Sequence, residues 1–475
     1  MDRKIFIITL VLFLFSSILS AGWTQYYGEI DDETGFFVQQ TLDGGYILTG
    51  HTTSWGSEQE DVFLIKTNQA GDISWLKTFG GVDQDEGHSV QQCSDEGYII
   101  CGQTYSYGAG NADVYLIKTD ECGNLCWTKT IGGINSDGGH GIRQTSDGGF
   151  ILTGITSSYG SGTDTYLVKT DSLGNTQWSR YFGGSDMEFG YSVLQTQDGG
   201  YIVCGGTCSF GAGQWDIYLI KTDQNGNAVW TKTYGDTGTD IGYSIKQTSD
   251  CGYIITGLTD SYGAGLKDVY LIKTDSCGDS IWAKTYGGSE NDFTSSIDIT
   301  PSGNFIVTGV TNSYGAGSSD IYLLYLTSSG NPIWTKTFGG INADIGICTQ
   351  HTAEGGFILT GATESFGSGG SDIILIKTDI NGVAVEESVI SPPNQINYSI
   401  KSLDNNDISL ELSLPQTSDI RLDIYDVSGR YISTPLDGSY TPGIHNISFN
   451  MEKQGVYFFN LKFNQSTHQG KFTVI

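Results

Sequence analysis

Tryptophan returns at Trp23, Trp75, Trp127, Trp178, Trp230, Trp282 and Trp334, every 51 or 52 residues, and most of these open a phrase close to W-x-K-T-x-G-G. Asp61, Asp113, Asp164, Asp216, Asp268, Asp320 and Asp372 keep the same period, each heading an apolar phrase such as DVYLIKT at Asp113–Thr119. A recurrence of this length means a solenoid, propeller or array, whose units bury their faces against one another. Every other motif has to be judged against that repetition.

One unit resolves into four strands. The first covers about His140 to Thr145, the SDGG turn at Ser146–Gly149 supplies the φ > 0 positions of a tight hairpin, and the second begins at Phe150. A glycine-rich loop, Ser158–Gly162, leads to the third strand at Asp164–Thr170, and Asp171–Asn175 turns the chain into a fourth around Trp178. Four short antiparallel strands per period make a propeller blade. The third strand is apolar on both faces, as in VYLI at Val269–Ile272, so both sides of its sheet need cover, which stacked blades provide. A parallel β-helix also covers faces, but with shorter coils and without two hairpin turns per period. Seven sets of first, second and third strands follow Trp23, and a seventh tryptophan-bearing fourth strand exists only if Trp23–Tyr27 is counted. The N-terminal strand is therefore expected to complete blade seven and remove the open sheet edges.

The expected organisation is all-β: a signal peptide at 1–21, a seven-bladed β-propeller of four-stranded blades at 22–389, a linker at 390–396 and a small β-sandwich at 397–475. Arg3 and Lys4 precede the apolar run from Ile5 to Phe15, and small residues end at Ala21, the pattern of a secretory leader. Glycine at 67 residues against 7 prolines suits many tight turns. A net charge of −30 speaks against a nucleic-acid partner, since neutralising phosphates takes clustered Lys and Arg. The nine cysteines are an odd number, so at least one lacks an intrachain partner. Cys122 and Cys126 flank a turn where pairing is conceivable, but without nearby histidines they make no zinc site. No cofactor or metal is expected.

Three phrases, GGSDMEFG at Gly183–Gly190, DGGYI at Asp198–Ile202 and DIYLIKT at Asp216–Thr222, resemble the bacterial β-propeller repeats of large secreted and cell-surface proteins. That resemblance implies the fold and no single activity. The two prolines of SPPN at Ser391–Asn394 then break the repeat, and alternation such as ISLELSL at Ile408–Leu414 takes over. LDIYDVSGR at Leu422–Arg430, GVYFF at Gly455–Phe459 and KFTVI at Lys471–Ile475 follow in order. This tail resembles the C-terminal sorting domain of the bacterial type IX secretion system, with Asp426, Ser428, Gly429, Arg430, Gly455, Tyr457 and Lys471 as the matching residues. The resemblance implies the type IX machinery as partner, passage through periplasm and outer membrane, and a secreted or cell-surface destination.

Strand direction puts the fourth-to-first and second-to-third loops on one face of the ring. An acid recurs in the former at Glu33, Asp85, Asp137, Glu188, Asp240, Asp292 and Asp344, and an aromatic in the latter at Trp55, Tyr107, Tyr159, Phe210, Tyr262, Tyr314 and Phe366. Rings beside carboxylates suit a carbohydrate-binding face, because sugar C–H faces stack on rings and hydroxyls donate to carboxylates. A residue that recurs in every blade also has a structural use: the acid can accept loop amides and the ring can pack between blades. Catalysis needs unlike residues at one place. Blade six departs most from the pattern, through Asp298, Ile299, Asn304 and Tyr325, yet offers no nucleophile with its base, no metal-ligand set and no phosphate loop. His88 and His140, followed at equivalent positions by Tyr191 and Tyr243, fit packing roles. Asp223–Asn227 lacks the alternating ligands and terminal glutamate of a calcium loop. The sequence thus favours a non-catalytic binding, adhesion or scaffold protein facing an extracellular glycan or protein, over an extracellular polysaccharide-degrading enzyme.

Overall fold

The computed structural model describes residues 22–57 and 59–384, and most of 397–474, omitting 403–406, 415–417, 428, 441–442, 452 and 464–465. The expected leader at 1–21 and the linker at 390–396 lie outside the described residues, as does Ser428. The chain divides into two compact units, Met1–Val385 and Glu386–Ile475.

The first unit is a seven-bladed propeller. In blade one, Glu33–Gln40, Tyr46–Thr52, Asp61–Thr67 and Ile73–Phe79 pair in sequence order as one antiparallel sheet, and five further blades repeat that order. Blade seven takes Asp344–His351, Phe357–Thr363 and Asp372–Thr378 from the end of the repeats and its outer strand, Trp23–Tyr27, from the beginning. Trp23 stands opposite Lys377 and Tyr27 opposite Ile373. The N-terminal strand closes the ring as the repeat count requires.

Burial explains the repeat. All seven third strands are buried along their whole length, because the blades before and after cover both faces. Ile47, Val62 and Leu64 of blade one share a cluster with Val90, Tyr98, Ile100, Tyr115 and Ile117 of blade two. Each tryptophan is a wedge between neighbouring blades: Trp23 meets Tyr46 edge-on at 5.7 Å, Trp75 meets Tyr98 at 5.9 Å, and the pattern continues to Trp334 and Phe357 at 5.8 Å. The same indole covers a turn in the next blade so closely that a Cβ on Gly71, where φ is +86°, would meet Trp23 at 2.7 Å. Both the left-handed backbone and the indole therefore demand glycine there.

Every innermost strand carries a bulge, with register shifting between Gly87 and Ser89, between Gly139 and Gly141, and at the equivalent places in the other five blades. The extra residue is unpaired and its side chain re-aimed. This irregularity builds the channel site below.

The second unit has two sheets. Asp407–Leu414 lies between Asn397–Ser402 and Gly443–Asn450, and Ser418–Tyr425 joins Tyr431–Tyr440 to Gly455–Phe463, with Ser466–Val474 at the edge. Ile408, Leu410 and Leu412 of the first sheet pack with Ile420, Leu422, Ile424, Phe459 and Leu461 of the second in one core. Two sheets around a shared apolar layer make a small β-sandwich. Within it, Asp426 closes the hairpin by accepting the Arg430 backbone amide at 3.0 Å and its side-chain Nε at 3.1 Å, and Gly429 supplies φ of +80°. Tyr457 is buried and donates its hydroxyl to the Lys453 carbonyl at 2.9 Å, while Gly455 faces Val474 and Lys471 faces Phe458 across the last two strands.

Candidate functional site

The recurring acids head the innermost strands, and all seven are completely buried. Asp85 accepts the Gly81 amide at 2.8 Å and the Ser106 hydroxyl at 2.7 Å, and Asp137, Asp292 and Asp344 repeat both contacts. Asp240 accepts the Asp236 amide and the Ser261 hydroxyl in the same way. The longer Glu33 reaches the Glu29 amide, Thr52 and Ser54, and Glu188 reaches Gly184, Thr207 and Ser209. A second carboxylate is close by: a Cβ on Gly80 would strike both Asp61 and Asp85. Burial pushes the Asp240 carboxyl up, against the lowering effect of Ser261 and Thr259, and Asp216 adds to the rise. The acids hold the turns between blades and present no surface to a sugar.

The aromatics lie differently. Tyr107, Tyr159, Phe210, Tyr262, Tyr314 and Phe366 are 41–47% exposed, while Trp55 is half-buried. Each of Tyr107, Tyr159, Phe210, Tyr262 and Tyr314 rests against a third-strand tyrosine at 5.6–5.9 Å. Trp55 leans on Phe63, and Phe366 on Tyr26. The hydroxyls of Tyr107 and Tyr314 donate to the Gly80 and Gly287 carbonyls at 2.7 and 2.8 Å. Held by a ring contact and a hydrogen bond, these side chains lose little freedom when a ligand stacks on them. The structure thus separates what the sequence placed together: rings at the surface, carboxylates beneath it.

Blade six departs from its neighbours in two places. In blades one to five a buried third-strand lysine reaches an aspartate of the first hairpin turn, as Lys66 reaches Asp43 at 2.8 Å. Tyr325 replaces that lysine, and its hydroxyl accepts from Asn304 Nδ2 at 3.1 Å. Asp298 is buried and joins three blades, taking Lys246 Nζ at 2.9 Å, His351 Nδ1 at 2.7 Å and the His351 amide at 3.0 Å. Burial alone would raise its carboxyl, but Lys246 and His351 outweigh this and hold it far below the usual carboxylate range. Ile299, next along the strand, packs at the edge of the cluster between blades five and six.

The remaining site lies where the seven innermost strands meet. A cavity of about 450 Å³ is lined by the bulge residues of all seven blades: Phe36, His88, His140, Tyr191, Tyr243, Ser295 and Ile347. Five form an arc of rings in contact, with centroids 5.3 Å apart for Phe36 and His88, 5.4 Å for His88 and His140, 5.2 Å for His140 and Tyr191, and 5.0 Å for Tyr191 and Tyr243. Ser295 and Ile347 interrupt the arc. His140 donates through Nδ1 to the Gly190 carbonyl at 2.9 Å. Enclosure, and then the nearby His88, lower its pKa to about 4, which keeps the ring neutral. Arg143 and Lys246 also line the cavity, and no carboxylate does so among the described residues. Four of these rings, His88, His140, Tyr191 and Tyr243, are visible in the sequence, where they fit packing roles. The available signal was variability, since the position three residues after each recurring acid is Phe, His, His, Tyr, Tyr, Ser and Ile in turn.

No family model matches the chain. A stretch of 182 residues is 28% identical to the regulatory protein FlaEY of Caulobacter vibrioides, covering 32% of this chain and 19% of that protein. The chain therefore spans about a fifth of the length of that relative. Among solved structures, Sqt1 from Chaetomium thermophilum aligns with a TM-score of 0.43 at 12% identity, over 72% of this chain and 81% of its own. The β-propeller domain of the Trilobed protease from Pyrococcus furiosus aligns with a TM-score of 0.37 at 10% identity, over 76% and 96%.

Proposed function

We propose that the chain is an exported propeller, displayed at the cell surface or released, that binds an extracellular glycan without transforming it. The ring of half-exposed aromatics carries this reading. Rings repeated around one face give several weak stacking sites in fixed geometry, and avidity multiplies their effect on a repetitive polymer. The matching carboxylates are completely buried beneath the loops, where they accept loop amides and hydroxyls, so sugar contacts fall to the rings and the loop backbone. Export follows from the apolar leader and from the resemblance of the tail to a type IX sorting domain, with the type IX machinery as partner.

The test is a panel of surface and plant polysaccharides titrated against the full chain, read both as binding and as release of reducing ends. Binding without product is expected. Tyr107→Ala with Tyr262→Ala should weaken binding about tenfold through lost stacking while shifting the melting temperature little, because both rings are more than two-fifths exposed. Unchanged binding by the double variant would move the site away from this face, and released sugar would make the protein an enzyme.

A further inference from the structure

We propose that the channel cavity is a second binding site, which takes a small organic carboxylate with a flat apolar body. Arg143 points to it. At the same position in blades one and two, Gln39 and Gln91 use their side-chain oxygens to accept the Gln92 and Gln144 amides of the next blade, each at 2.7 Å. A guanidinium accepts nothing. Blade three has therefore given up a contact that joins its neighbours and placed a cation in the channel instead.

Asp298 attracts that cation only from a distance. Among the described residues no carboxylate lies within ion-pair distance of Arg143, whereas Lys246 is neutralised by Asp298 at 2.9 Å. Arg143 Nη1 donates to the Ile142 carbonyl at 2.6 Å, and the guanidinium carbon stands 5.3 Å from the Phe37 ring centroid. These contacts fix its plane and leave donors of its five-donor fork free for a carboxylate, which the fork matches in bidentate fashion. In a chain of net charge −30, a cavity lined by Arg143 outside any ion pair, and by no carboxylate among the described residues, is a local reversal of sign, and it draws small anions.

The rest of the ligand follows from the walls. The arc from Phe36 to Tyr243 offers aromatic surface along one side, and the small Ser295 leaves room opposite. A volume of about 450 Å³ is in the range of small-molecule sites and far too small for a polymer.

The full chain should be titrated calorimetrically with indole-3-acetate, its neutral counterpart indole-3-ethanol, and acetate. Indole-3-acetate is expected to bind at least about tenfold more tightly than either, an increment typical of one charge-assisted pair. Arg143→Gln installs the residue found at this position in blades one, two and seven, so folding should survive. It should bring indole-3-acetate to within about threefold of indole-3-ethanol. Ser295→Tyr completes the arc with the residue of blades four and five and should abolish binding of both. Undetectable binding of indole-3-acetate at millimolar concentration, no preference over the alcohol, or undiminished binding by Arg143→Gln would each overturn the proposal. Tyr107→Ala with Tyr262→Ala should leave this titration unchanged, so failure at the rim and failure in the channel are told apart.

Discussion

The Tyr27 hydroxyl donates to the Gly71 carbonyl at 2.5 Å, tying the strand Trp23–Tyr27 to a turn in blade one. Tyr234 and Tyr286 make the same bond to Gly278 and Gly330 between other blades. At the closure it has a further consequence. Tyr27 belongs to the N-terminal strand that completes blade seven, so the bond anchors that closing strand to the neighbouring blade one.

Removing Trp23–Gly28 should therefore do more than shorten a terminus. It uncovers the edge of Asp372–Thr378, and it takes Trp23 and Tyr27 out of the cluster that joins blades seven and one. Trp23→Ala alone should cost about 3 kcal/mol, as buried tryptophan truncations do. The deletion should cost more and promote aggregation through the unpaired edge. Thermal melts with light scattering would check this, and a truncated protein that melts like its parent would rule out the closure.

A smaller effect is expected in two hairpin turns. Glu96 and Cys251 adopt φ of 65° and 64°, where the other blades place glycine, as at Gly148 and Gly199 with φ of 81° and 82°. A left-handed conformation costs a residue with a Cβ roughly 1–2 kcal/mol. Cys251→Gly and Glu96→Gly should each stabilise the propeller by about 1 kcal/mol, measured by denaturant unfolding. Loss of stability in either would mean that the side chains make compensating contacts.

Much of the fold was legible because the features that repeat are those that packing enforces. The tryptophan period marks the wedge between blades, and paired glycines mark turns with φ > 0. The candidate site was less legible. An acid in a glycine-rich loop is the same letter whether it faces a sugar or, like Asp85, is buried against backbone amides. The channel was hidden for the opposite reason: its rings stand on bulges, and their identity changes from blade to blade. Asp298 stood out as a departure, but its partners Lys246 and His351 lie 52 and 53 residues away. Only the ring brings them together.

Acid should weaken the propeller in two steps. Closed inside the channel, His140 titrates at about 4 against an ordinary 6.5, so the unfolded chain binds the proton first and stability falls as pH drops from about 6.5 towards 4. In the hairpins, burial pushes Asp43, Asp147, Asp198 and Asp250 up, but the facing lysines and threonines outweigh it and bring each to about 2. Their contribution is complete above the ordinary value of 3.8 and is lost as pH falls towards 2. Melting temperature against pH should show both declines. His140→Tyr, the residue of blades four and five, should remove the upper one, and Asp147→Asn with Asp198→Asn should shrink the lower. A flat profile between pH 6.5 and 4 in the parent would mean that His140 is not held neutral.

The tail gives the last prediction. The second unit has its own apolar core, from Ile408 to Val474, and the first has its own clusters between blades. A domain with its own core folds without its neighbour, so a chain lacking 397–475 should unfold at the temperature of the intact propeller. Its destination should change. If the tail is read by an outer-membrane export machinery, the truncated protein should fold and accumulate in the periplasm, detected by fractionation and by protease shaving of whole cells. Arg430→Ala gives a finer test. Its guanidinium is exposed and holds Asp426 across the hairpin at 3.1 Å, and a surface pair of this kind is worth less than about 1 kcal/mol. A sorting signal should lose surface display with almost no change in the melting of the sandwich, whereas a merely structural hairpin should lose neither. Undiminished display of the truncated chain would remove the sorting role altogether.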